Sequence, residues 1–280
     1  MSGSPASDPQ RRQQKRQGQG QPRRAAGRYD APGDAPLTVP SLELQVPFVF
    51  DEALARRLVR REVNPKEAFT VRDDTGTYFR AALKELGKDG GMAVPYERMP
   101  RSPESVVEIT LACAVLARQR MIFVVQKATE LGVTRIGPLL TEHAVPPDGL
   151  EHEKAHAWPG QVIRAAKQCR RSSLPQLLAP TTLDTFLASP AAAADLSLFL
   201  DDRSQGKVAP TPALAPAGTP QRIILFVGPE GGFSDTERET LKARAFPWIL
   251  GGRVLRAETA VLAGLTAVQL VWGDFRGDAR

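Results

Sequence analysis

The sequence predicts an α/β protein in which residues 106–280 form a domain with a mostly parallel sheet, preceded by a small β-barrel at 37–105 and a basic tail at 1–36. Three observations lead there. From residue 106 onward, apolar strand-type runs alternate with segments of helical spacing, the pattern of βα units. Ahead of them, short strands joined by tight turns describe an all-β module. The tail has almost no large apolar side chain and cannot offset the entropy of its own ordering.

The tail therefore reads as disordered. It holds seven basic side chains (Arg11, Arg12, Lys15, Arg16, Arg23, Arg24, Arg28) against Asp8, Asp30 and Asp34, so most of the net charge of +6 lies in it. Such an arm either seeks RNA phosphates by counterion release or is a solvated extension. In the barrel, residues 68–71 and 78–83 are strands around a turn at 73–76, and a strand at 92–96 follows a turn at 88–91. Before them, 52–61 is a short amphipathic run. Its Arg56, Arg57, Arg60 and Arg61 either line an RNA-binding edge or form a solvated helix face.

In the second domain, 107–116 is a strand and 118–131 a helix that stops at Gly132. A strand at 135–140 precedes a helix at 158–169, where Trp158, Val162, Ala165, Ala166 and Cys169 share one face and Pro159 suits the first turn. Strands at 196–200 and 222–227 flank a Pro/Ala-rich loop, 203–221. A helix at 235–244, a short strand at 248–250 and a helix at 258–272 complete the chain. The last helix is apolar almost all round, so it is buried in the fold or against a second subunit.

Hydrophobic residues at 42% and charged residues at 24% are ordinary for a globular protein. Cys113 and Cys169 are too few for a disulfide scaffold, and no apolar run reaches the roughly 18 residues of a membrane span. No secretory leader opens the chain, and the expected location is cytoplasmic.

Two segments carry the chemistry. Gly228-Pro229-Glu230-Gly231-Gly232 follows an apolar strand and precedes a helix that Ser234 and Glu237 fit as a capping box. Ligands of open α/β sheets bind at such strand ends; the alternative is a plain strand-to-helix turn. The loop lacks the Lys-Ser/Thr of a P-loop and the spacing of a dinucleotide fingerprint. The second segment, 250–260, joins a strand to the apolar last helix, which Glu258 or Thr259 can cap. Arg253, Arg256 and Glu258 there either form a structural ion pair or receive an anionic or polar substrate. His152-Glu153-Lys154-Ala155-His156 satisfies a zinc-protease pattern, but its flanks do not secure a helix and no third ligand follows, so no metal is expected.

Residues 126–133 (QKATELGV), the helix bearing 165–171 (AAKQCRR), the glycine loop 228–232 and the segment 250–260 stand in a particular order and spacing. In these the chain resembles the RsmE family of small-subunit rRNA methyltransferases, of the knotted SPOUT superfamily, over about residues 40–275. The resemblance implies a PUA-like barrel that helps hold RNA, a SPOUT domain with a trefoil knot, a homodimer, and S-adenosylmethionine bound in the knot. It implies methylation of N3 of one uridine in the 16S rRNA of the small ribosomal subunit. The cofactor pocket would comprise Leu200, Gly228, Pro229, Glu230, Gly231, Gly232, Leu250, Gly251, Val254, Leu255 and Arg256. Uridine N3–H is a weak acid, so the reaction needs a proton acceptor or donors that stabilise the developing anion. Arg256 takes the anion-stabilising role, Arg171 binds phosphate or a uracil oxygen, and Glu230 is either a proton acceptor, directly or through water, or a residue that fixes the loop or offsets the sulfonium charge. Lys167 and His143 depart from the family pattern. Ribose 2′-O-methylation and a non-catalytic ribosome assembly role are the alternatives.

Overall fold

The computed structural model describes residues 29–201 and 219–276. The expected tail up to residue 28 and most of the loop 203–221 lie outside the described residues.

The N-terminal unit is an antiparallel sheet of β1 (Phe48–Asp51), β2 (Ala68–Arg72), β3 (Tyr78–Leu86) and β4 (Gly90–Arg98), in the order β1-β4-β3-β2. Helix α1 (Glu52–Arg60) starts where Asp51 accepts a hydrogen bond from the Leu54 amide at 2.9 Å. It buries Leu54 and Leu58 with Phe69, Val71, Phe79 and Leu83. The β2–β3 turn is closed by Asp73, whose Oδ1 accepts from the Thr75 and Thr77 amides. β4 starts at Gly90, earlier than its pattern indicates. There φ is +145°, and a Cβ would stand 2.1 Å from the Phe50 carbonyl oxygen, so only glycine lets β1 close on β4.

The C-terminal unit is a parallel sheet built from β5 (Glu108–Ala114), β6 (Arg135–Leu140), β7 (Gln176–Leu177), β8 (Thr181–Thr182), β9 (Leu196–Leu200), β10 (Arg222–Val227) and β11 (Phe246–Trp248). Its order is β11-β9-β10-β5-β6-β7, with β8 also on β6. The central strands β5 and β10 are buried on both faces, which is why each reads as a continuous apolar run. Between strands lie α2 (Arg118–Glu130), α3 (Trp158–Gln168), α4 (Leu183–Leu187) and α5 (Asp235–Lys242), followed by α6 (Ala257–Val271). Ser234 and Glu237 form the expected capping box of α5. Neither Glu258 nor Thr259 caps α6; Arg256 occupies the N-cap without a side-chain bond. On α6, Val261, Leu265 and Val268 are buried, whereas Leu270 is 55% exposed.

Residues 29–39 correct the boundary of the expected tail. Ala31 and Asp34 pair with Leu177 and Leu174 through reciprocal backbone hydrogen bonds of 2.8–3.0 Å, and Leu37 and Val39 then bond to Arg72. This strap joins the two sheets. Its Asp34 carboxylate meets Arg57 at 2.9 Å, Arg60 at 3.4 Å and Arg61 at 2.7 Å. Three of the four arginines expected to face RNA are therefore engaged by the chain itself, and Arg61 is buried and also donates to the Ser172 carbonyl. Arg56 pairs with Glu52 on the exposed face of α1.

Burial pushes the Asp34 carboxyl up, but Arg57 and Arg61 outweigh it and hold it below its ordinary value of 3.8. With the folded value depressed, its contribution is fully present above the unfolded value and is lost as pH falls through the folded one. Asp34→Ala is expected to cost about 3 kcal/mol in denaturant unfolding, because it strands a buried Arg61. Hydrogen exchange at the Ala31 and Leu37 amides should accelerate in the same variant. Unchanged exchange there would show that the strap docks without the ionic contact.

Candidate active site

Three strand ends build the site. β9, β10 and β11 are parallel neighbours, so the segments following Leu200, Val227 and Trp248 all emerge at the same edge of the sheet. Between them is a half-open cleft, a concave site at the position where ligands of parallel sheets bind. Its apolar wall is Leu200, Val227, Trp248, Ile249, Leu250 and Leu255, and its polar groups include Asp201, Glu230, Arg238 and Arg253.

The glycine loop is fixed from several sides. The Gly232 amide donates to the Pro229 carbonyl at 2.9 Å, and Gly232 lies at φ +72°. A Cβ on Gly228 would press to 3.1 Å from the Phe233 nitrogen. His143, a departure from the family pattern, stands with Nδ1 3.1 Å from the Gly232 carbonyl oxygen. Beside it the Glu142 amide donates to Glu237 at 2.9 Å, tying the end of β6 to the α5 cap. Glu230 forms an ion pair with Arg120 of α2, whose Nε is 4.0 Å from Glu258. Asp201, at the end of β9, holds Arg238 at 2.8 Å.

Of the residues expected around the cofactor, Leu200, Gly228, Pro229, Glu230, Gly232, Leu250, Gly251, Val254 and Leu255 line this cleft. Gly231 and Arg256 do not. Gly231 packs toward His143, and Arg256 is exposed at the α6 N-cap. Asp201, Phe233, Arg238 and Trp248 also line the cleft and were missed, although residues that follow neighbouring parallel strands must share an edge.

Arg171 lies elsewhere. It is 6% exposed, bonded to Glu104 at 3.1 Å and to the carbonyls of Thr129 and Val133 at 3.0 and 2.8 Å. Glu104 and Val133 precede β5 and β6, so Arg171 is at the opposite edge of the parallel sheet from this chain's cleft. Lys167, at the end of α3, bonds Glu67 of the N-terminal unit at 2.9 Å. The zinc-like segment is not an α-helix: Lys154 is left-handed at φ 55°, and Glu153 accepts from the Arg118 amide at the start of α2. Cys113, at the end of β5, is fully buried and its thiol is pushed up to about 12 by that burial, then by the nearby Glu230.

A ligand cleft at the strand ends of a parallel sheet, walled by apolar side chains and glycine backbone, defines an α/β protein of the cofactor-binding class. The chain belongs to the RNA methyltransferase family, whose domain model matches residues 103–269. The resemblance to the RsmE family holds as well. A ribosomal RNA small subunit methyltransferase E from Synechocystis is 32% identical over 203 residues, covering 72% of this chain and 65% of that relative. A methyltransferase from Legionella pneumophila, solved with bound SAM, is 30% identical with a TM-score of 0.59, over 85% of this chain and 98% of that one. The small subunit methyltransferase E of Neisseria gonorrhoeae, bound to S-adenosylmethionine, is 29% identical with a TM-score of 0.58, over 86% of this chain and 99% of that one.

Proposed function

We propose that the protein transfers a methyl group from S-adenosylmethionine to N3 of a uridine in the 16S rRNA of the small ribosomal subunit. The observation that carries this is the cleft at the ends of β9, β10 and β11, inside the RNA methyltransferase domain. Its residues fit the cofactor. Leu200, Val227, Trp248, Leu250 and Leu255 offer an apolar wall for an adenine ring. Gly228 and Gly251 let backbone approach the rest, and Glu230 at the edge matches a positive centre. When bound, S-adenosylmethionine supplies an electrophilic methyl group.

The chain's own groups then do two things. Arg256, exposed at the α6 N-cap beside the lining residues Leu255 and Ala257, steadies the negative charge that develops on the uracil as the N3 proton leaves. Glu230, with Oε1 engaged by Arg120, presents its second oxygen as proton acceptor. Burial of Cys113 keeps its thiol in the neutral form.

The same reading includes a trefoil knot in the C-terminal unit, a PUA-like barrel around β1–β4 and a cytoplasmic homodimer. Phe123 on α2 and Leu270 on α6 are 38% and 55% exposed, an apolar surface on packed helices that suits a second copy. Among the described residues no helix is long and apolar enough to cross a membrane.

The test is methyl transfer from labelled S-adenosylmethionine to small subunits lacking their own modification, with the product nucleoside identified by mass spectrometry. The expected product is 3-methyluridine; a 2′-O-methyl nucleoside would overturn the assignment. A second prediction probes the cofactor wall. Gly251 stands at φ +123°, and a Cβ there would have nothing within 4 Å, so a substitution meets conformational cost and no clash. Gly251→Val carries about 1–3 kcal/mol of backbone cost, relieved only if Leu250 and Val254 move. Calorimetry should show S-adenosylmethionine affinity reduced about tenfold or more. Undiminished affinity would place the cofactor away from this turn.

A further inference from the structure

With Arg57, Arg60 and Arg61 engaged by Asp34, the N-terminal unit needs another surface if it is to hold RNA. A second, open cleft lies where β3 begins and β4 runs into the linker; its lining includes Gly76, Tyr78, Arg98, Met99 and Arg101. We propose that this cleft, with Arg72, Arg98 and Arg101 at its edge, binds the phosphate backbone of the RNA substrate. The proposal rests on the methyltransferase reading and adds the surface by which RNA is held.

The arginines are placed by the sheet. Arg72 is the cross-strand partner of Tyr78, and Arg98 pairs with Phe79 on the other side of β3. The Met99 amide donates to the Tyr78 carbonyl at 2.8 Å, which brings the linker and Arg101 to the same end. The Arg72 guanidinium lies 5.9 Å from the centre of the Tyr78 ring, close enough for a cation–π contact that orients its planar fork. Gly76 stands at φ +89° in the turn beside Arg72, a conformation that favours glycine.

Charge pairing separates this patch from its surroundings. Elsewhere on the unit Arg56 meets Glu52, the strap holds three arginines, and Glu97 is engaged by Arg170 of the other unit. Arg72, Arg98 and Arg101 are exposed and have no carboxylate partner among the described residues. The nearest turn acid, Asp73, is buried with its charge spent on Thr75 and Thr77, while Asp74 is not part of the lining. Exposed guanidinium groups without carboxylate partners, around a cleft, gain by displacing counterions from a polyanion. An acidic protein surface would present charge less densely than a nucleic-acid backbone, and the family's substrate is RNA.

The experiment compares the full chain with R98E/R101E and R98K/R101K, measuring binding to naked 16S rRNA across a salt series and S-adenosylmethionine affinity separately. Both side chains are exposed and unpaired, so the variants should fold, which intact cofactor affinity will verify. The expected result for R98E/R101E is rRNA affinity lowered about tenfold or more and a salt slope reduced by about two. The lysine pair should retain most of the binding. Wild-type-like affinity and slope in R98E/R101E overturn the proposal, as does equal loss in the lysine pair. If the unmodified chain binds rRNA with this arginine dependence yet transfers no methyl group, the catalytic reading fails and the RNA surface stands.

Discussion

Arg256→Ala is expected to lower the rate of methyl transfer by about 10²–10³-fold, the range seen when one donor to a developing anion is removed, and to leave S-adenosylmethionine affinity unchanged. The split follows from where the residue sits. Leu255 and Ala257 line the cleft, so the Arg256 backbone is anchored in the wall between them. Its own side chain is outside the lining, exposed at the N-cap of α6, and makes no capping bond. Truncation therefore removes little that the cofactor touches. Its planar guanidinium fork suits a uracil oxygen on which negative charge accumulates. Arg256→Lys keeps the charge and loses the fork, so an intermediate rate is expected. Single-turnover kinetics with saturating cofactor separates the chemical step from binding. Full-rate transfer by the alanine variant would remove Arg256 from the chemistry and make Arg253, which lines the cleft, the next candidate.

Much of this geometry was legible in the sequence because it depends on burial and on local order. The strands at 135–140, 196–200 and 222–227 match the structure residue for residue, since a strand covered on both faces must be apolar throughout. The Ser234–Glu237 capping box spans one helical turn and can be read locally. The cleft is legible for a related reason: a glycine loop after one buried strand and a Gly-Gly turn after another must share the edge to which parallel strands run. What was hidden depends on pairing at a distance. Asp34 and Arg61 are 27 residues apart, and nothing in a run of charges shows which of the three aspartates in a basic tail will dock on it. β7 and β8, of two residues each, are too short to produce a pattern. Helix α6 reads as apolar all round because one side packs on the sheet and α2 while the other remains partly open.

Arg171 shows most clearly how a charge can mislead, and its replacement should act on folding rather than on chemistry. The motif resemblance placed it at the substrate, yet four separate contacts hold it inside the chain. Its Nε reaches Glu104 at 3.1 Å, Nη1 donates to the Thr129 and Val133 carbonyls, and Nη2 donates to Ser173 Oγ at 3.0 Å. Glu104 in turn accepts from the Ser172 and Ser173 amides, both at 2.8 Å. The cluster fastens the inter-unit linker to the corner after α3, and every charge in it has a partner. Removing one member of a buried pair costs about 3–5 kcal/mol, so Arg171→Ala should lower the unfolding midpoint by roughly 10 °C. At a temperature where the variant remains folded, methyl transfer per folded molecule should match the parent. Were Arg171 a phosphate or uracil ligand, the rate or the rRNA KM would change under those same conditions while stability changed little. Glu104→Gln discriminates further: it leaves Arg171 in place, retains an acceptor for part of the cluster, and should lose stability without loss of rate. A variant pair that stays stable but fails in turnover would return Arg171 to the active site, from the partner's side of a dimer.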